Sequence, residues 1–244
     1  WITFNRPETQ NSLPLHGFMY IGELINQCNY DEDVKVIILR GSGVCFGSGA
    51  DAMELGYYVG YHDDIKYRPP QRQRAYGDRN YLFGLTGIET AMHSSVKVLI
   101  SQIHNYCYGG HLELAVCSDI AVATEDALFV HPGWRYLSAM GDICMMYENL
   151  GAKLTRDFML TSRPLTAEEA LRGGLLNKVV KTREELEQTV NEYAQAAAIN
   201  NMDCIVMGKA WLNLTDDMRG SAAGRDTGWM AHGWTTNYRT ERGE

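Results

Sequence analysis

A glycine pair followed three residues later by a carboxylate is the part of this sequence with the clearest potential for chemistry. Gly109-Gly110 follows an apolar run, and Glu113 lies in the short apolar segment that comes next. A strand that ends at glycines and continues as a helix leaves backbone N–H groups free at the helix start. Because Glu113 lies within about one helical turn of those groups, the pattern predicts a place where an oxyanion is held and a proton is delivered.

A second glycine-dense stretch, residues 41–51, precedes this one. It contains Ser48, Gly49, Ala50 and Asp51 and leads into a short apolar segment. By itself such a stretch is typical of a tight turn in which the aspartate caps the helix that follows.

Apolar strands alternate with helical patterns before this stretch and after it. Strands are predicted at residues 1–4, 34–39, 96–103, 120–123, 128–130 and 175–180. Helices are predicted at residues 12–28, 82–92, around Glu113, at 143–150, 152–160, 166–174 and 184–198, and from 202 onward. Ser12 is a candidate cap of the first helix, and Thr166 with Glu169 forms a capping box. The alternation predicts an α/β fold with parallel strands and a helical C-terminal part.

Residues 56–81 interrupt this pattern with an insertion rich in tyrosine and arginine. Its aromatic and basic residues are Tyr57, Tyr58, Tyr61, Tyr67, Tyr76, Tyr81, Arg68, Arg72, Arg74 and Arg79. A connection of this length is usually functional or disordered. The tyrosines favour an ordered lid or wall, and a surface excursion or subunit contact is an equally good interpretation.

Composition narrows the class of protein. The 244 residues fit one large domain or a core with a small appendage, and the net charge of −8 without a basic run argues against a nucleic-acid partner. No G-x-G-x-x-G follows a strand, and the seven histidines lie far apart. We therefore expect neither a dinucleotide nor a metal site.

The cysteine pattern and the hydropathy of the sequence indicate where in the cell the protein is expected. Six scattered cysteines form no C-x-x-C pair, which favours reduced thiols in a cytoplasmic protein. No stretch is long and apolar enough to span a membrane, so no membrane partner is expected. The chain opens on a strand without a charged leader, which suggests that no signal peptide is present and that a few upstream residues are missing.

An ordered set of short motifs runs through nearly the whole chain. They are Ile2-Thr3-Phe4-Asn5-Arg6-Pro7-Glu8 with Asn11, Val36–Gly41, Phe46–Asp51, Gly109-Gly110 with Glu113-Leu114-Ala115, Ser118–Ile120, Ala127–Phe129, Leu165–Ala170 and Gly174–Val180. In this order they resemble the crotonase family, the enoyl-CoA hydratase/isomerase superfamily.

The resemblance implies a spiral of ββα turns in residues 1–180, closed by C-terminal helices in residues 181–244 that form trimers, often paired into hexamers. It implies an acyl-CoA substrate and no separate cofactor, since coenzyme A enters as part of the substrate. The thioester oxygen would accept hydrogen bonds from the backbone N–H groups of Ser48 and Gly110, because fixed dipoles stabilise an enolate without reorganising.

Glu113 aligns with a family glutamate that handles protons. Burial beside Leu112 and Leu114 would raise its pKa and suit a general acid, and the alternative is a carboxylate that complements the helix dipole. Further candidates for substrate contact are Arg6, Gly49, Ala50, Asp51, Tyr106, Gly109, His111 and His131.

The sequence departs from the family pattern at several positions. The second family glutamate falls on Gly133, and Asp142 is the nearest replacement, although the favoured interpretation of Asp142 is the N-cap of the helix at Ile143. His111 replaces a third glycine and adds a titratable group. Gln10 stands where many relatives carry a basic residue near the CoA phosphates, so Arg6 or the arginines of the insertion would take over that contact.

Three functions remain open on these grounds. The leading one is a lyase of the enoyl-CoA hydratase type that acts on a cyclic or bulky acyl group beside the tyrosine-rich insertion. The second is a hydrolase of the same fold that cleaves a C–C bond of a cyclic oxo-acyl substrate, with Asp142 or His131 assisting; isomerase chemistry also stays open. The third is a non-catalytic paralogue that binds acyl-CoA or only assembles with relatives.

Overall fold

A computed structural model of the chain describes residues 1–54, 71–82, 87–131 and 143–235. Gly133, Asp142 and residues 56–70 of the insertion lie outside the described residues, so the predictions made for them stay predictions.

The larger of two sheets has five parallel strands, in the order β1-β2-β3-β5-β8. They are β1 (Ile2–Phe4), β2 (Val36–Gly41), β3 (Val98–Ile103), β5 (Ile120–Thr124) and β8 (Lys178–Val180). In register, Ile38 lies opposite Ile100, and Ile100 lies opposite Ile120. Runs of β-branched and leucine residues form these strands because a parallel sheet is buried on both faces.

The smaller sheet contains β4 (Tyr106–Tyr108), β6 (Leu128–Val130) and β7 (Leu165–Thr166). Its first two strands are parallel, and β7 is antiparallel to β6. Gly47 adds an isolated parallel bridge to Cys107, beside β4. Residues 45–48 therefore lie next to β4 in the smaller sheet. They hold the position in the first turn of the spiral that β4 and β6 hold in the second and third turns.

The described helices connect and cover these sheets. They are α1 (Leu15–Asn29), α2 (Gln71–Gly77), α3 (Ile88–His93), α4 (Gly110–Val116), α5 (Ile143–Thr161), α6 (Ala167–Gly173), α7 (Arg183–Ala198), α8 (Met202–Met218) and α9 (Ser221–Thr235). A π-helix, Asp78–Leu82, continues α2. The segments β2 with residues 45–48, β3 with β4, and β5 with β6 each contribute to both sheets, which confirms the predicted α/β class and ββα spiral.

Two helix boundaries follow the sequence signals closely. Gly151 has a φ of 69° and breaks α5 into the two helices predicted on either side of it. Thr166 forms the predicted capping box with Glu169, and α6 ends at Gly174, whose φ is 103°. Left-handed glycines end helices because they adopt this conformation without a Cβ penalty.

Other predicted boundaries were wrong. Ser12 does not cap α1, which begins at Leu15 after Pro14; the Leu15 N–H donates instead to Glu54 Oε2, at 3.0 Å. The helix predicted from Leu82 begins at Ile88. The strands β4 and β7 were not predicted, because three and two residues are too few to show a period.

The core lies on both faces of the five-stranded sheet. Helix α7 covers one face, where Ile38, Ile100 and Val122 pack against Leu186 and Val190. The opposite face carries the larger cluster, which includes Phe18, Phe46, Leu99, Phe129 and Trp229. None of the described helices has the length and apolar character needed to cross a membrane.

Candidate active site

A short loop, residues 47–50, lies at the centre of the candidate site, and we call it the donor loop. Its N–H groups are held one by one. Gly47 donates to the Tyr106 carbonyl at 3.0 Å and Ser48 to the Gln10 carbonyl at 3.0 Å. Gly49 donates to His111 Nδ1, also at 3.0 Å. Within the described parts of the chain, no group accepts a hydrogen bond from Ala50 N–H.

The prediction that Ser48 supplies an oxyanion donor is therefore wrong. Its N–H is committed to Gln10, and its hydroxyl donates to the Thr9 carbonyl at 3.3 Å. The Leu13 N–H donates to the Gly49 carbonyl at 2.8 Å, so the Gly49–Ala50 peptide is turned with its N–H away from Leu13. The donor that this loop leaves available is Ala50, which the sequence predicted only as a substrate contact.

The second donor segment is the start of α4. Gly109 has a φ of 52° and donates its own N–H to the Val130 carbonyl at 2.9 Å. Gly110 is the first residue of the helix, and no described group accepts from its N–H. N–H groups in the first turn of a helix have no acceptor within that helix. The lack of an acceptor for Gly110 N–H among the described residues therefore follows from the helix starting at this residue.

The two segments touch each other. A methyl group placed on Gly49, whose φ is 94°, would come 2.8 Å from the Tyr108 carbonyl oxygen and 3.4 Å from Gly110 N. A methyl group on Gly110 would come 2.4 Å from the Phe18 ring. Only glycine allows this approach, which places the Ala50 and Gly110 amides in neighbouring stretches of backbone.

Glu113 lies in the first turn of α4, and the structure brings it next to the glycine pair as predicted. Its side chain is buried, with 3% of its surface exposed, between Leu112 and Leu114, which are also buried. Its own N–H donates to the Gly109 carbonyl at 3.2 Å. The catalytic roles assigned to Glu113 and Gly110 stay predictions.

His111 does not have the predicted position at the substrate. Its ring is fully buried and packs edge-on against Phe4 and Phe46, with ring centroids 4.8 and 5.6 Å away. Burial lowers its pKa from 6.5 to about 3. Because the ring faces the core and is neutral at ordinary pH, the prediction of a titratable substrate contact is wrong.

Arg6 and Asp51 lie at the outer rim of the donor loop, where they bind each other. Arg6 Nη1 contacts Asp51 Oδ2 at 3.4 Å and donates to the Ser12 carbonyl at 2.8 Å. Asp51 Oδ1 accepts from Met53 N–H at 3.1 Å, so the aspartate caps the helix that starts at residue 52. The cap interpretation of Asp51 is thus confirmed, and Arg6 stays partly exposed, at 38% of its side chain.

Three further side chains flank the glycine pair. Tyr106 and Tyr108 are half-buried, with ring centroids 5.1 Å apart. Burial, together with the neighbouring Tyr106 and Cys45, raises the pKa of the Tyr108 phenol. His131 directly follows β6 and is buried, with 1% of its surface exposed.

The sequence did not indicate that Gln10 and Asn11 support the donor loop and the residues just before it through hydrogen bonds. Gln10 and Asn11 both have left-handed backbone, with φ of 54° and 58°. The buried Asn11 amide donates to the carbonyls of Ser42 and Cys45, at 2.9 Å each, and its Oδ1 accepts from Arg6 N–H. An asparagine shortly after a proline was the available signal, because asparagine is enriched at positive φ.

No group of three or more histidine, cysteine, aspartate or glutamate side chains in the described residues could hold a metal ion. What the site offers is two backbone donors and one buried carboxylate. Such an arrangement can stabilise a developing oxyanion and move a proton beside it. A ββα spiral with this site defines a protein of the crotonase class.

The comparisons with known proteins agree with that class. The family model for enoyl-CoA hydratase/isomerase matches residues 1–239, so the chain belongs to the enoyl-CoA hydratase/isomerase family. It is 32% identical over 189 residues to the "probable enoyl-CoA hydratase echA12" of Mycobacterium bovis. The match covers 76% of this chain and 64% of that relative, less than two thirds of its length.

Two other similar proteins extend the comparison. One is the peroxisomal Δ(3,5)-Δ(2,4)-dienoyl-CoA isomerase of Arabidopsis thaliana, 27% identical over 80% of this chain and 69% of its own. The other is the crystal structure of a probable enoyl-CoA hydratase from Mycobacterium smegmatis, 26% identical. It superposes with a TM-score of 0.81 over 95% of this chain and 87% of that one.

Proposed function

We propose that this protein is a lyase of the enoyl-CoA hydratase type, which adds water to the double bond of an α,β-unsaturated acyl-CoA. The thioester oxygen accepts hydrogen bonds from Ala50 N–H and Gly110 N–H, and Glu113 moves the proton. The observation that carries the proposal is the meeting of two backbone N–H groups, without acceptors among the described residues, beside a buried carboxylate.

The chemistry needs both parts. As water bonds to the β carbon, the π electrons move toward the carbonyl and negative charge develops on the thioester oxygen. The two amides stabilise that charge; one such donor is typically worth about 10²–10³ in kcat. The Glu113 carboxylate takes a proton from the attacking water and returns it to the α carbon, a role typically worth about 10²–10⁴.

The acyl group is proposed to be cyclic or bulky. The support is the tyrosine-rich composition of the insertion, residues 56–81. Within its described part, α2 and the π-helix that continues it pack against α9. Comparable turnover of straight-chain and ring-bearing thioesters would contradict a preference for the ring.

The working assembly is proposed to be a homotrimer or hexamer formed through the C-terminal helices. On α8, four exposed apolar side chains recur at helical spacing: Met207, Trp211, Leu214 and Met218. A stripe of this kind is typical of an interface. Light scattering would give three or six times the 27.4 kDa of the chain, and a monomer would contradict the proposal.

A reducing compartment such as the cytoplasm fits the cysteines. All six are free thiols, and Cys45 and Cys107 are fully buried. Burial raises the pKa of both thiols, which keeps them in the unreactive protonated form.

A mass-spectrometric screen in heavy water tests the reaction. Straight-chain enoyl-CoAs, cyclic enoyl-CoAs and 2-oxocyclic acyl-CoAs are each incubated with the protein. We expect enoyl-CoAs to gain one heavy water, with a deuterium fixed at the α carbon, and we expect Glu113→Gln to slow this gain about 10²–10⁴-fold.

Other products would overturn the proposal in identifiable ways. Deuterium uptake without added water would indicate an isomerase. A new carboxylate from the oxocyclic thioester would indicate the hydrolase. Binding without any turnover across the panel would indicate the non-catalytic paralogue.

A further inference from the structure

The two donors of the candidate site are linked by a side chain that does not face the substrate. His111 follows Gly110 directly in α4, and its Nδ1 accepts the N–H of Gly49, at 3.0 Å, in the donor loop. His111, the residue after Gly110, therefore holds Gly49, the residue before Ala50. This single contact spans 62 positions of sequence.

The bond fixes the state of the ring. Nδ1 accepts a hydrogen bond, so it carries no proton, and the neutral imidazole has its proton on Nε2. The ring is immobilised by edge-on contacts to Phe4 and Phe46. It also fills the space beneath the loop, because a methyl group on Gly47 would lie 2.1 Å from its Nε2.

Gly49 is the residue at which the loop could change direction. Its φ of 94° is open to glycine and strained for other residues, so the peptides on its two sides rotate easily unless they are held. The Gly49 carbonyl, which belongs to the peptide carrying Ala50 N–H, is held by Leu13 N–H at 2.8 Å. The peptide before it, which carries Gly49 N–H, is held by His111.

We propose that His111 is a positioning residue, which fixes the peptide before Gly49 and thereby sets the direction of Ala50 N–H relative to Gly110 N–H. The inference rests on the proposed oxyanion role of those two amides. It assigns to His111 a geometric effect on the transition state and no contact with substrate. Small errors in the placement of such groups cost rate more than affinity.

Three variants test the proposal. His111→Leu fills the space and removes the acceptor, whereas His111→Asn keeps an acceptor oxygen near the position of Nδ1. His104→Leu is the matched control, because His104 is also buried, at 4% exposure, and its Nε2 lies 3.2 Å from the Gly43 carbonyl, away from the donors. The probe is p-dimethylaminocinnamoyl-CoA, whose absorption shifts to the red when its thioester carbonyl is polarised.

We expect His111→Leu to lose most of the red shift and to lower kcat about 10- to 100-fold, less than complete loss of a donor. The Kd of the probe should stay within about threefold, because the contacts that bind substrate uniformly are unchanged. His111→Asn should recover part of both signals, and His104→Leu should retain both. Hydrogen exchange at the Gly49 amide, which loses its acceptor, should accelerate in His111→Leu and stay as in the wild type in His104→Leu.

A folded His111→Leu variant with the wild-type red shift and kcat would overturn the proposal, and so would an equal loss in His104→Leu. If the wild-type protein itself gives no red shift, the oxyanion function fails. The exchange rate of the Gly49 amide still tests the positioning role in that case, because unchanged exchange in His111→Leu would refute it.

Discussion

The start of α4 and the donor loop bring an N–H group to the same place by different physical means. At Gly110 the N–H has no acceptor among the described residues for a local reason, because the chain turns at Gly109 and a helix begins. At Ala50 the N–H has no acceptor in the same part of the chain because of contacts made by residues far away in sequence, namely Gln10, Leu13 and His111. The helix start therefore depends on its own residues, and the loop depends on its supports.

The comparison predicts two kinds of damage. Substitution of Glu113, the carboxylate in the first turn of α4, should act on the chemistry and leave the fold intact. Substitutions at the loop or its supports should act through geometry, so that rate and stability fall together.

The largest expected effect is on the helix side, at Glu113. Glu113→Gln keeps the shape of the side chain and removes its ability to move a proton, so kcat should fall about 10²–10⁴-fold. Affinity for the acyl-CoA should change little. Steady-state kinetics combined with calorimetric binding measures both quantities.

Glu125→Gln is the control for this variant, because Glu125 is exposed at the turn after β5. It should leave kcat and binding as in the wild type. An undiminished kcat in Glu113→Gln would show that the carboxylate takes no part in the reaction. The start of α4 would then not act on the chemistry in the way expected here.

The next effect contrasts two glycines with positive φ, one in each region. Gly49→Ala would drive its methyl group to 2.8 Å from a backbone oxygen, whereas the nearest atom to a methyl on Gly109 is 3.7 Å away. We expect Gly49→Ala to displace Ala50 N–H and lower kcat about 10²–10³-fold. We expect Gly109→Ala to cost about 1–3 kcal/mol of backbone strain with a smaller loss of rate.

Chemical denaturation and steady-state kinetics of both variants give the ranking. If Gly109→Ala lowered kcat more than Gly49→Ala, the rate would depend more on the backbone at the start of α4 than on the backbone of the donor loop, contrary to expectation.

The same distinction explains what the sequence could predict. The glycine pair with Glu113, the break at Gly151 and the capping box at Thr166 are local signals, and the structure has all three. Alternation of apolar strands with helices predicted the class of fold, because buried parallel strands have a recognisable composition.

The donor in the loop could not be read from the sequence in the same way. The family resemblance implied Ser48, but its N–H donates to the carbonyl of Gln10, which itself adopts an unusual left-handed conformation. Nor could the sequence show that His111 turns inward onto Phe4 and Phe46. Which amide of a loop is left free depends on partners that only the folded chain brings near.

A pH effect on stability tests the burial of the loop's support. The pKa of His111 in the folded protein is about 3, below the ordinary value of 6.5. Between these pH values the unfolded chain binds more protons at this site, so its contribution to stability is complete above pH 6.5 and is lost as the pH falls toward 3. The slope is at most about 1.4 kcal/mol per pH unit for one proton.

Urea unfolding at a series of pH values from 7 to 4.5 measures that slope. His93 and His104 also have lowered pKa values, so the wild-type slope contains their contributions as well. His111→Leu should be less sensitive to acid than the wild type by about the effect of one proton. Identical slopes would mean that the ring is hydrated in the folded protein and supports the loop less firmly than its contacts indicate.

The smallest expected effect lies at the outer rim of the donor loop, in the pair Arg6–Asp51. Both side chains are partly exposed, and the 3.4 Å contact is long, so a double-mutant cycle with Arg6→Ala and Asp51→Asn should give a coupling of about 0.2–1 kcal/mol that weakens with salt. Asparagine is the appropriate change at position 51 because it retains the cap on the following helix, which alanine would remove at a cost of about 1 kcal/mol.

If Arg6 also binds the CoA phosphates, Arg6→Ala should raise KM and leave kcat unchanged, since uniform binding alone would be lost. A coupling well above 1 kcal/mol, or a loss of kcat, would instead show that the rim holds the loop as firmly as His111, Leu13 and Gln10 do from within.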